Sequence, residues 1–569
     1  MRILPRHPLS ILLPCLLGAC ASLPPPPPET VAVTILGIND FHGQIQSAGP
    51  VPKTLQLPDP AHPGSQRNVA AGGAAYLASA LAELRAANPD SITVGVGDLI
   101  GAAPLVSTLL ADEPAIEVLN RLGVSLSTVG NHEFDHGRDE LLRRIRGECP
   151  ADGCKLPGFS GAHFDYLAAN IIDEATGKPW LKPYVIRQLG SVRVAFVGAD
   201  LRGVPDIVMA SGIRGLYFED EAIAINRVIP EIRAQGVETI VALIHQGADY
   251  HAASGAVSEP DYACPGFAGP IVDIVKHLDK SVGVVMSAHT HEAYTCKVDG
   301  RLVTQAGSYG ALVSEIRLRI DRHSGALIDA SATNHVVDQQ RFQPDAAMQA
   351  YVADVSASSK TISQQRIGLL PATLERYAAE QSGKGDSALG NLIADGMLDF
   401  ARQAGAADMA FMNSGGLRAN LPSGPVTTSP QNITLGDLYA VQPFGNDVVV
   451  LSLSGAQILA MLNQQTQQGN KPPRLLQVSR GLSYRWNPAA PAGARASDVR
   501  LDGEPLQPQR NYRVVTNSFI AEGGDGLRIF TAGTERQTIG PDIDATRRYL
   551  TERSRPLPAY SSEGRIRLE

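Results

Sequence analysis

The sequence predicts an α/β protein of two domains joined by a helix, and three observations carry that reading. Its 569 residues exceed what a single hydrophobic core serves. Between residues 31 and 338, short β-rich apolar runs alternate with helix-compatible stretches. Across the polar, alanine-rich segment 344–365 the style of the motifs changes.

The runs of the first region are VAVTILGIN (31–39), SITVGVGD (91–98), VSLSTVGN (124–131), VRVAFVGAD (192–200), ETIVALIH (238–245) and SVGVVMSAH (281–289). Strands buried on both faces read as such short continuous runs, and a layered α/β domain follows. The second region opens with an amphipathic helix near 389–401 and gives strands at DMAFMN (408–413), DVVVLSL (447–453) and YRVVTNSF (512–519). The expected division is an export signal over 1–20, a proline-rich spacer over 21–30 and a first domain over 31–340. A linker helix over 341–366 and a second domain over 367–569 complete it.

Arg2 and Arg6 precede the apolar run 11–17, which is too short to span a membrane as a helix and reads as an export signal. Leu17-Gly18-Ala19-Cys20 resembles a bacterial lipobox and marks Cys20 as the expected lipidation site. By the same likeness, Ala21 and Ser22 favour the outer membrane of a Gram-negative cell, met only through this anchor. Prolines 24–28 form a stiff spacer. Of six cysteines, four remain once Cys15 is removed and Cys20 acylated. An even number in an exported chain suggests disulfides. Cys149 and Cys154 flank a short loop and are expected to bridge, leaving Cys264 for Cys296. A zinc site is the competing use, but no C-x₂-C pair is present.

The net charge of −8 argues against a nucleic-acid polymer as partner, because backbone binders need a basic face. A small anionic substrate held by a local cluster of cations stays compatible with it.

The polar residues that close the apolar runs carry the chemistry. The first run ends in Asp40 and His42, the second in Asp98, and the third in Asn131 and His132. The fifth ends in His245, and the sixth in His289 with His291 beyond. Ligands of layered α/β sheets bind beyond the carboxyl ends of strands, so these groups are expected to converge. Asp40-x-His42 and His289-x-His291 are i, i+2 pairs, expected on extended chain with both side chains on one face. Imidazole with carboxylate suits zinc, manganese or iron rather than calcium. Two Asp, one Asn and four His suit two ions sharing one carboxylate. Singly, each has an ordinary reading: His245 as a satisfied strand-end histidine, Asp98 as a helix cap, His132 as a structural hydrogen bonder. Their concurrence selects the metal site.

Asp40-x-His42, GVGD (95–98), GNHEFD (130–135), His245 and AHTH (288–291) resemble the calcineurin-like metallophosphoesterases. DEPAIEVLNRLG (112–123) leading into GNHEFDHG (130–137) resembles their 5′-nucleotidase branch. LGNLIAD (389–395), NSGGLR (413–418), QPFGN (442–446) and TNSFIAEGGDG (516–526) resemble that branch's C-terminal domain. The resemblance implies a four-layer α/β/β/α sandwich followed by an α/β nucleotide-binding domain. It implies one metal at Asp40, His42, Asp98 and His291. A second would lie at Asp98, Asn131, His245 and His289, with Asp98 bridging. It also implies attack by metal-bound hydroxide, and His132, oriented by Asp135, as donor to the phosphoryl group or leaving oxygen.

Phe444 and Phe519 lie in Gly- or Asn-rich loops beside strands. As bare residues they read equally as corner core or as rings that clamp a base by stacking. The resemblance implies the clamp, with Asp525 on the ribose and Asn446 on the base. Arg418, with Asn413 near it, is the candidate phosphate binder. The stretch GKGDSALGN (383–391) departs from the family, which carries arginine shortly before LGN. It offers Lys384, with Arg376 further back, and lysine lacks the bidentate fork. The expected activity is release of phosphate from nucleoside 5′-phosphates in the cell envelope, with two divalent ions such as zinc or manganese. Cleavage of 2′,3′-cyclic nucleotides or nucleotide sugars is the neighbouring alternative on the same site. A non-catalytic nucleotide-binding lipoprotein is the alternative of another class, and it predicts missing metal ligands.

Overall fold

A computed structural model describes residues 29–47, 53–59, 62, 65–151, 153–250, 262–377, 384–423, 430–465, 475–551 and 560–569. The expected export signal, Cys20 and most of the spacer lie outside these residues.

Two six-stranded sheets form the first domain. One runs Leu327–Val336, Leu312–Asp321, Thr30–Ile38, Ser91–Val96, Val124–Thr128, Asp165–Leu167, with the last four parallel. The other runs Ala293–Val298, Arg301–Ala306, Val282–Ser287, Thr239–His245, Val192–Asp200, Tyr184–Leu189, with the middle four parallel.

Side-chain alternation explains why the runs are apolar throughout. Val33 and Ile35 point into the core between the sheets, where they meet Val94, Phe196, Val241 and Leu243. Their neighbours Leu36 and Ile38 point the other way, onto helices Ala74–Ala87 and Glu113–Arg121. In the second sheet Ile240, Ala242 and Ile244 face helices Glu221–Ala234 and Pro270–His277. Four layers result, α/β/β/α, as expected.

Helix Ala346–Ser363 starts at Asp345, whose carboxylate accepts the Met348 N–H at 2.8 Å, a helix N-cap. Met348 and Val355 sink into the outer core of the first domain, so this helix packs with that domain before the chain enters the second. The second domain is an α/β unit on a five-stranded sheet, Gln477–Val478, Met409–Met412, Asn511–Asn517, Asp447–Ser454, Thr534–Pro541. Helices Ala388–Ala404 and Asp542–Thr551 cover one face through Leu392, Leu398 and Tyr549. Helix Gly455–Leu462 and the buried Trp486 cover the other.

Cys149 is bonded to Cys154 and Cys264 to Cys296, the two bridges that the spacing suggests. Among the described residues no helix is long and apolar enough to cross a membrane.

Candidate metal centre

The first sheet delivers Asp40, His42, Asp98 and Asn131 to one cleft, and the second delivers His245, His289 and His291 to the same cleft. The i, i+2 pairs do not sit on extended chain, and this corrects the sequence expectation. The strands stop at Ile38 and Ser287, and the ligands beyond them turn left-handed. The φ angles are 48° at Asp40, 48° at His42, 49° at Asp98, 74° at His289 and 59° at His291. Such a conformation costs a non-glycine residue about 1–3 kcal/mol, and it persists where surrounding bonds impose it. Here one loop is pinned to the other: the Asp40 N–H donates to Gly97 O at 3.1 Å and the His42 N–H to Asp98 O at 2.9 Å. Two glycines make the approach possible. A Cβ on Gly97 would lie 2.6 Å from His245 Nδ1, and one on Gly130 would lie 2.4 Å from Asp98 Oδ1.

Within the cleft the donors form two groups that meet at Asp98, with a third, His42, Asp98 and His132, overlapping both. The ligand atoms of Asp40, His42 and His291 lie within 4.8 Å of one another, as do those of Asp98, His245 and His289. Asp98 Oδ2 is 3.1 Å from His245 Nε2 and 3.7 Å from His42 Nε2, so one carboxylate oxygen faces both groups. Asn131 Oδ1 stands 3.0 Å from His289 Nδ1.

The donors fit divalent cations. His42 Nδ1 is spent on Gly101 O at 3.0 Å and His245 Nδ1 on Val96 O at 2.8 Å, which turns both Nε2 atoms into the site. Carbonyl partners of this kind fix the tautomer of metal-binding imidazoles. Burial holds His42 and His289 down at about 3, in the neutral form that coordinates. Burial also pushes the Asp40 carboxyl up to about 7. His245 goes the other way: burial pulls it down, but the Asp98 carboxylate outweighs that and raises it.

His132 stands at the edge of this group. Its Nδ1 meets both oxygens of Asp135 at 3.0 Å, which leaves Nε2 for the cavity. Its backbone N–H donates to Asp98 Oδ1 at 2.8 Å, and Asp135 in turn accepts the Ala102 N–H at 2.8 Å. Burial disfavours the imidazolium, yet Asp135 and Asp98 outweigh burial and raise its pKa.

A cavity of about 1290 Å³ opens over the centre, lined from both domains. All six substrate candidates, Asn413, Arg418, Phe444, Asn446, Phe519 and Asp525, line it. Phe444 stacks on His132 with ring centres 5.6 Å apart and planes at 17°. The Arg418 guanidinium lies 5.7 Å from the centre of the same ring. Asn413 donates to Asp525 at 3.1 Å, and Asn446 accepts from Ser518 Oγ at 3.1 Å. Phe519 lies against Gly524, where a Cβ would come within 2.5 Å of its ring.

Lys384 does not line the cavity: its Nζ donates to Ser562 O at 2.6 Å, and its backbone pairs with that of Arg567. Arg376 lines the cavity beside Arg418 and donates to the Arg418 carbonyl, and Arg528 lines it too. Tyr309 is a further lining residue that the sequence did not single out; its ring packs 5.7 Å from His42 and 5.4 Å from His291. The first domain also supplies a side wall. Asp206 takes Arg528 Nη2 at 3.0 Å, and Ser211 Oγ donates to Glu522 at 3.1 Å, beside the loop that carries Phe519 and Asp525.

Residues 33–293 match the calcineurin-like phosphoesterase family, and residues 364–532 match the 5′-nucleotidase C-terminal domain. The chain is 32% identical to endonuclease YhcR of Bacillus subtilis over 95% of its own length, spanning 41% of that longer protein. It is 31% identical to cell wall protein Lmo0130 of Listeria monocytogenes, over 92% of this chain and 67% of that one. Among solved structures, the 5′-nucleotidase precursor of Thermus thermophilus superposes with a TM-score of 0.74 at 26% identity, covering 95% and 99% of the two chains.

Proposed function

The chain belongs to the calcineurin-like phosphoesterases that carry a 5′-nucleotidase C-terminal domain, and from that membership we propose that it releases phosphate from nucleoside 5′-phosphates in the cell envelope. The observation that carries this reading is a single one. The carboxylate of Asp98 is shared by two groups of ligands at the floor of a cavity whose other walls hold three arginines, Arg376, Arg418 and Arg528, and two phenylalanines.

Asp40, His42, Asp98 and His291 would hold one divalent ion, and Asp98, Asn131, His245 and His289 the other, zinc or manganese by the donor set. When bound, such ions supply positive charge at the phosphoryl oxygens and acidify water towards neutrality. The chain's own residues do the rest. Arg418 and Arg376 hold the phosphate, Arg418 with the planar fork that matches its oxygens. Phe444 and Phe519 take the base between them, with Asn446 and Asp525 at its edge and ribose. His132, aligned by Asp135, donates to the phosphoryl group or the departing ribose oxygen. The lipobox at Cys20 and the two disulfides support an envelope site. A cavity of about 1290 Å³ exceeds the usual ligand pocket and admits nucleotides extended beyond the phosphate, so cyclic nucleotides and nucleotide sugars belong in the same assay.

The test is phosphate release from AMP by the soluble chain. Chelator is expected to stop it and Mn²⁺ or Zn²⁺ to restore it; a nucleotide-binding lipoprotein releases none in either condition. Within that assay Phe519→Ala is expected to raise KM for AMP about tenfold with kcat unchanged, since a stacked base is worth roughly 1–3 kcal/mol. Phe444→Ala, which also strips the ring lying on His132, is expected to lower kcat as well.

A further inference from the structure

Glu133 is fully buried, sits in the chain between the two members of the catalytic candidate pair, His132 and Asp135, and has no part in the chemistry proposed for the site. Its carboxylate gathers four backbone donors. Oε2 accepts the N–H of Gly130 at 2.7 Å and of Asp98 at 2.8 Å. Oε1 accepts the N–H of Leu99 at 2.8 Å and of Ile100 at 3.4 Å. No arginine or lysine among the described residues forms an ion pair with it.

The Gly130 bond alone would be a cap on the short helical turn Asn131–Phe134. The other three donors belong to a different loop, the one that leaves strand Ser91–Val96 and carries Asp98. Glu133 therefore ties the turn bearing Asn131 and His132 to the loop bearing Asp98. It does so through four backbone hydrogen bonds. Two of its donors are the N–H of the left-handed Asp98 and of the residue after it, so it also holds that loop in its strained conformation. Ligands of both groups hang from the two segments it joins.

We propose that Glu133 is a positioning residue for the metal centre: it fixes the spacing between Asp98 and Asn131 and so sets the affinity for the cations. This rests on the two-cation reading. Partners of metal ligands typically contribute about 10–100-fold in affinity or activity, and Glu133 positions two ligands at once. The amide of Glu133→Gln points N–H₂ at backbone N–H. Glu133→Asp keeps the carboxyl group but is one methylene too short to span both loops.

The experiment is calorimetric titration of the metal-free chain with Mn²⁺, below the melting temperature of each variant. Wild type is expected to take up two ions. Glu133→Gln and Glu133→Asp are both expected to bind them about 10–100-fold more weakly, with KM for AMP unchanged at saturating Mn²⁺. Should Glu133→Gln fail to fold, Glu133→Asp decides. Wild-type affinity in Glu133→Asp overturns the proposal, because a role of the carboxyl group alone would survive that change. Wild type taking up no Mn²⁺ is a distinguishable failure: it removes the two-cation reading and this inference with it.

Discussion

Asp98→Ala is expected to lower phosphate release from AMP by at least about 10³-fold while leaving the chain folded. Removing a single transition-state donor already costs about 10²–10³ in kcat, and Asp98 serves both cation groups at once. Its Oδ2 faces His245 Nε2 at 3.1 Å and His42 Nε2 at 3.7 Å, and its Oδ1 receives the His132 N–H at 2.8 Å. The substitution therefore removes the shared anionic ligand, leaves a buried His245 without its counter-charge and frees the His132 backbone. Asp98→Asn separates these effects. The amide keeps an oxygen for the His132 N–H and the same volume, but not the charge. If the charge is what matters, the Asn variant melts near wild type yet loses metal, counted by elemental analysis, and loses phosphate release almost as fully as Ala. Two bound ions and wild-type turnover in either variant would falsify the shared-ligand reading.

The seven candidate ligand positions were legible because of where they stand. Each stands at or just beyond the carboxyl end of a run that is apolar on both faces, where a charged or imidazole side chain has no place in either core. Ile35 and Leu36 face opposite cores, whereas Asp40 lies beyond both. The backbone at those positions was not legible. Nothing in Asp-x-His distinguishes a strand end from a left-handed turn, because the turn is imposed by bonds to Gly97 and Asp98, more than fifty residues away in the chain. Arg376 and Lys384 failed for a related reason. Distance from the LGN motif ranked them by sequence, while loop geometry placed the farther one in the cavity and turned the nearer one onto the Ser562 carbonyl. Glu133 and Tyr309 look ordinary in sequence, a charged residue in a polar motif and a tyrosine after a strand. Only their burial and partners single them out.

His132→Ala is expected to lower kcat for AMP by about 10²–10⁴, the range for a lost general acid, with metal content unchanged. The imidazole is held by Asp135 through Nδ1, and although it lies near His42 and Asp98 it is outside the two groups of ligands proposed for the ions. Asp135 does two things, accepting from His132 and from the Ala102 N–H, so Asp135→Asn is expected to lose less kcat than His132→Ala. The double variant is expected to lose no more than His132→Ala, because residues acting as a unit are not additive. The nature of the donation can be separated by substrate. An aryl phosphate whose phenol leaves readily as the anion needs no proton on its leaving oxygen, whereas the ribose 5′-oxygen of AMP does. If His132 protonates the leaving group, His132→Ala is expected to spare the aryl ester and not AMP. If it hydrogen-bonds the phosphoryl oxygens instead, both substrates lose alike. Wild-type rates on both would remove His132 from the chemistry and leave it as the platform on which Phe444 rests.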